Sequence, residues 1–162
     1  KRAVLLVHMT NELKELRSNQ TAYDAYLDKM ELIIYAIHDG ACENAECHGG
    51  GSWGFETEIN IASFLVCRIG KIENVWKIWR AKCANFDASI MVEADFLYSV
   101  GNTRHSKSTV SEAIAYVRSS KNTEDKKSLI SRIERDLSND WLSQERVDGF
   151  MNRYRAYVRS SK

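Results

Sequence analysis

The sequence contains no proline and only eight glycines in 162 residues. Those two residues supply most of the tight turns on which sandwiches and barrels depend, so their scarcity argues against a turn-rich β fold and leaves helices uninterrupted. Cysteine is sparse as well. Cys42, Cys47, Cys67 and Cys83 fall far short of a disulfide scaffold and read as reduced thiols. Long hydrophobic runs are missing: a stretch such as 59–66 is too short and too interrupted to span a bilayer. No excess of one charge exists either, since 23 Lys and Arg face 22 Asp and Glu, which gives no global pull toward nucleic acid or an anionic membrane. No leader pattern opens the chain, and a cytoplasmic location is expected. What is present, 44% hydrophobic residues, is enough for one packed domain over residues 1–162.

Apolar spacing predicts an all-α fold of about eight helices. Leu6, Met9, Leu13 and Leu16 mark the first, and Tyr23, Leu27, Met30, Ile34 and Ile37 a long second one ending near Gly40. Asp39 to Trp53, DGACENAECHGGGSW, is expected to be the one long loop. A third helix opens at Thr57, is almost wholly apolar to Ile69 and closes at Gly70; it should be central. The fourth starts near Ile72, with Val75, Trp76, Trp79 and Cys83 inward, and the fifth carries Phe86, Ile90, Ala94 and Leu97 up to Gly101. Thr109 and Glu112 have the form of a capping box for the sixth. Thr123 starts a seventh with Ile130, Ile133 and Leu137, and Val147, Met151, Tyr154 and Val158 mark an eighth. Four antiparallel hairpins of about forty residues would match the period of HEAT and armadillo arrays. AYVRSSK at 115–121 recurs at 156–162 in that register. A compact irregular bundle is the alternative.

Chemistry-bearing patterns are few. His38, Cys42, Cys47 and His48 lie close enough in sequence to supply the four ligands of a zinc ion, but Cys-x4-Cys-His is not a tight knuckle spacing and no second ligand pair follows. A flexible or partner-binding loop is the plainer reading, and neither metal nor cofactor is expected. Nucleophile elbow, P-loop and dinucleotide fingerprint are all absent, so no enzyme is expected. Asp87 and Asp95 lie two turns apart on one side of a helix, with Asp95 near the apolar stripe, where an ionised carboxylate needs a partner. Lys82 can supply one. An ion pair joining adjacent helices is favoured over acid–base work.

Charge is distributed unevenly. Residues 1–105 hold 11 Lys and Arg against 14 Asp and Glu, whereas 106–162 hold 12 against 8. Asp39, Glu43 and Glu46, followed by Trp53 and Phe55, form an acidic segment with aromatic anchors, the kind of surface that captures a basic protein. The same two aromatics would equally serve to plug the core. Arginines of the C-terminal third are expected to lie on a solvated face.

The run VWKIWRAKCANFDASIMVEADFLYSVG at 75–101, followed by TVSEAIAYV at 109–117, resembles bacterial helical-repeat immunity proteins of polymorphic and contact-dependent toxin systems. The resemblance rests on Trp76, Trp79, Ala81, Lys82, Phe86, Asp87, Asp95, Phe96, Leu97, Gly101, Thr109, Tyr116 and Val117, about a quarter of the chain. It implies a small all-helical protein that binds and blocks a cognate toxin, such as a nuclease, without chemistry of its own. Expected contact residues are Asp39, Glu43, Glu46, Trp53, Phe55, Lys82, Asp87 and Asp95, with a toxin as partner and no membrane or nucleic acid. Two other readings stand beside it. One is a helical adaptor or nucleic-acid-associated module using the C-terminal arginines; the other, less favoured, is a metal enzyme built on the 38–48 segment.

Overall fold

The computed structural model describes residues 2–48, 55–94, 96–97, 107–121 and 125–137. Through them run α1 (Arg2–Glu15), α2 (Gln20–His48), α3 (Phe55–Ile69), α4 (Asn74–Cys83), α5 (Phe86–Met91), α6 (Lys107–Ser119) and α7 (Lys126–Leu137). A 3-10 turn, Leu16–Ser18, separates the first two. No strand occurs among the described residues, in keeping with an all-α chain.

The architecture is centred on α3. Its apolar body is covered on nearly every side, with Ile59, Ala62, Leu65 and Val66 fully buried. Four helices pack on it: α1, α2, α4 and α5. The expected inner face of α1 is present, for Leu6, Met9 and Leu13 are buried and Leu16 packs against the core's edge. Phe64 meets Phe96 edge to face at 5.8 Å. The hairpin of α6 and α7 buries Val110, Ala113 and Val117 against Leu129 and Ile133.

Local polar groups set the helix ends. Asn19 Oδ1 accepts the Ala22 N–H at 3.1 Å and starts α2. Gly70, at φ 77°, closes α3 in the left-handed conformation that a side chain would strain. Buried Asn74 joins three helices: its Nδ2 donates to the Val66 carbonyl at 2.9 Å, and its Oδ1 accepts from the Tyr35 hydroxyl at 2.9 Å. Asn85 caps α5 by accepting from Ala88 N–H at 2.8 Å.

Several expected boundaries are corrected. The loop beginning at Asp39 is instead the last part of α2, which passes through Gly40 and continues to His48. The reason is burial: Ala41, Cys42 and Ala45 prolong the buried stripe of Ile34 and Ile37, and that outweighs the roughly 1 kcal/mol a helical glycine costs. The buried face of α4 is rotated from the expected one. Val75, Ile78, Ala81 and Lys82 point inward, Trp76 and Trp79 are half-buried, and Cys83 is exposed. α5 stops at Met91, and its inner residue is Ala88, followed by buried Val92, Phe96 and Leu97. α6 begins two residues before the expected cap at Thr109. The expected eighth helix, the second AYVRSSK copy, Thr123 and Gly101 lie outside the described residues.

Candidate functional site

α2 and α4 run in the same direction on one side of α3, and long side chains bridge them in register. Glu31 pairs with Lys71, Tyr35 with Asn74, Asp39 with Lys77, and Glu46 with Arg80. The α2 members recur near multiples of one turn, and opposite them Asn74, Lys77 and Arg80 recur every three residues along α4, with Lys71 just before that helix, so both sets face a common seam. Lys77 Nζ donates to both Asp39 carboxylate oxygens at 3.0 Å and stands 4.8 Å from the centre of the Tyr35 ring. Arg80 holds Glu46 in a two-pronged contact, Nε at 2.9 Å and Nη2 at 3.1 Å.

Beneath the seam, His38 is 0% exposed. Its Nδ1 lies 3.5 Å from Asp39 Oδ1 and 3.8 Å from Cys42 Sγ. Burial, which disfavours imidazolium, lowers the His38 pKa to about 4 even though Asp39 opposes the shift. Burial likewise pushes the Cys42 thiol up to about 12. For Asp39, burial raises the carboxyl, but Lys77 and His38 together leave it below its ordinary value. These are settings for a neutral, inert imidazole and a protonated thiol. No cluster of three metal-ligating side chains forms among the described residues.

The expected contact residues thus have distinct fates. Asp39 and Glu46 are engaged with α4, while Glu43 is exposed on the outer side of α2. Lys82 is 5% exposed, and its ammonium donates at 2.7 Å to the carbonyls of Ser89 and Val92, where α5 ends. That is the place where a cation is favoured by the helix dipole. Asp87 is half-buried in the first turn of α5. Asp95 and Trp53 lie outside the described residues, as does the Phe55 side chain, although Phe55 opens α3.

Two residues expected in the core are on the surface. Phe86 is 76% exposed and Ile90, one turn on, 63%. With Met91 they form an outer apolar face on α5. Asn85 Nδ2, donating to the Ala45 carbonyl at 3.0 Å, fastens that helix to the end of α2. Phe86 therefore starts next to the turn of α2 that carries Glu43 and Glu46. The sequence signal was ambiguous because Phe86–Ile90–Ala94 and Ala88–Val92–Phe96 have the same four-residue spacing. Comparison with protein-family models, curated proteins and solved structures gives no significant match.

Proposed function

We propose that this chain is a binding protein of the immunity type, which neutralises a cognate bacterial toxin by covering its active surface and performs no reaction itself. The observation that carries the reading is the outward pair Phe86 and Ile90, held on a capped helix beside the acidic end of α2. Large apolar side chains left in water are contact anchors when a partner buries them. Glu43 adds an exposed carboxylate that speeds encounter with a basic surface, and Asp87 lies between the two anchors in sequence. Lys82 and Asp95 belong to the same segment of resemblance, and Trp53 with Phe55 would extend the contact. A hairpin array with an eighth helix over 147–158 is the scaffold this reading implies. No helix among the described residues is long and apolar enough to cross a membrane.

The test is a toxin encoded beside this chain. Co-expression should restore growth, and the purified pair should associate with nanomolar or tighter affinity. Joint replacement Phe86→Asp and Ile90→Asp should weaken binding about a hundredfold while circular dichroism stays native. Glu43→Lys should slow association at low salt and lose that effect at high salt. Absence of rescue, or a complex indifferent to the α5 double variant, sinks the reading.

A further inference from the structure

His38 is buried where a positive charge has no room. Burial is the larger obstacle to an imidazolium there, and from α4 the cations of Lys77 and Arg80 add to it. On its own helix Asp39 stands 3.5 Å away, but both of its carboxylate oxygens already accept from Lys77 Nζ. Cys42, one turn on, carries a protonated thiol. On α3 the buried carboxylate is Glu58, which Arg2 of α1 holds at 3.5 Å. An imidazolium formed in these surroundings needs water. Water is one layer away, because the side chains of Asp39 and Lys77 in the seam above are 39% and 33% exposed.

The helix is also weakest at this point. Gly40 lies two residues after His38, and glycine is the residue that a helix in this proline-free chain holds least well. Beyond it, the buried side chains described on α2, Ala41, Cys42 and Ala45, are all small. Polar tethers there are the Glu46 pair with Arg80 and the Ala45 carbonyl, which accepts from Asn85 Nδ2. A segment with little apolar burial opens at lower cost than the core beneath it.

We propose that His38 is an acid latch: protonating it swings the end of α2, residues 41–48, off α4 about Gly40, while α3 and the rest of its cover stay folded. The neighbouring acids do not set the pH range, since Asp39 and Glu46 are both held below their ordinary values and stay ionised above pH 5. His8, exposed on α1 beside Glu12, lies away from the seam. Because Asn85 ties the start of α5 to Ala45, the movement also loosens the helix carrying Phe86 and Ile90. A toxin held on that helix would be released in acid, a consequence that rests on the function proposed above; the latch itself does not.

The chain alone tests it, with Cys42 reporting the end of α2 and Cys67, buried in α3, reporting general unfolding. 4,4′-Dithiodipyridine, which modifies thiols in mild acid, is applied at pH 7 and pH 5, and each site is read by peptide mass spectrometry relative to glutathione. With the imidazole at 6.5 when open and about 4 when closed, opening and Cys42 modification should both rise roughly twentyfold. Cys67 should react at least about tenfold more slowly than Cys42 at both pH values. That comparison needs no variant to fold. His38→Gln should cut the rise to less than about threefold. Gly40→Ala should slow Cys42 modification about twofold to fivefold at both pH values and leave the rise intact. Equal rates at Cys42 and Cys67 would mean unfolding of the whole molecule and would overturn the latch. So would a Cys42 rate that does not change with pH, or a full rise retained in a folded His38→Gln variant.

Discussion

His38 is the buried group whose protonation folding opposes most directly. Its folded pKa of about 4 lies below the unfolded value of 6.5, so between those two limits the unfolded chain binds more protons and stability falls as pH falls. Asp39 acts in the same direction, because its carboxyl is held below its ordinary value and its pairing with Lys77 is lost on protonation. From the His38 shift alone, the protein should lose about 2 kcal/mol between pH 7 and pH 5. Urea denaturation at the two pH values measures this, and in His38→Gln most of the difference should vanish. An unchanged difference would mean that the imidazole is not the responsible group. At this scale the sequence was only half legible. Asp39 and Glu46 stand out as acids, but their partners Lys77 and Arg80 lie more than thirty residues on, in a register created by two helices packing on a third.

Helix existence was legible from apolar spacing, and helix ends were not, because an end is decided by what the next turn can bury or bond. α2 illustrates this at Gly40, where a strong local stop signal is overridden by Ala41, Cys42 and Ala45. α5 illustrates the converse: a stripe continuous to Leu97 in the sequence is cut at Met91, where Lys82 takes the carbonyls of Ser89 and Val92. Gly40 therefore remains a weak point in a long helix. A Cβ there would approach Arg2 Nη1 to 3.1 Å, the far end of a side chain that is half exposed and free to shift by a few tenths of an ångström. Gly40→Ala should accordingly stabilise the protein by about 0.5–1 kcal/mol. The melting temperature should rise by roughly 1–4 °C. A fall would show that the Arg2 contact with Glu58 and α2 is tighter than its exposure implies.

For the molecule as a whole, stability resides in the covering of α3 rather than in the ionic seam above it. The seam's outermost pair, Arg80 and Glu46, has both side chains about 40% exposed, and such pairs contribute about 0–1 kcal/mol. Leu65 is 0% exposed on the helix that α1, α2, α4 and α5 all contact, so deleting its side chain leaves a hole that four elements would have to close together. The expected cost of Leu65→Ala is about 2–5 kcal/mol, a large share of the roughly 5–15 kcal/mol typical of a domain. Glu46→Ala should cost less than about 1 kcal/mol. Both are read from the midpoint of urea unfolding at constant slope, which separates lost stability from a changed unfolded state. The centrality of α3 was the most legible feature of the sequence, because a helix apolar on all sides has to be surrounded; which helices surround it was not. If the two substitutions cost the same, the seam and not α3 holds the helices in place, and the α2 surface carrying Glu43 would depend on those ion pairs rather than on the core.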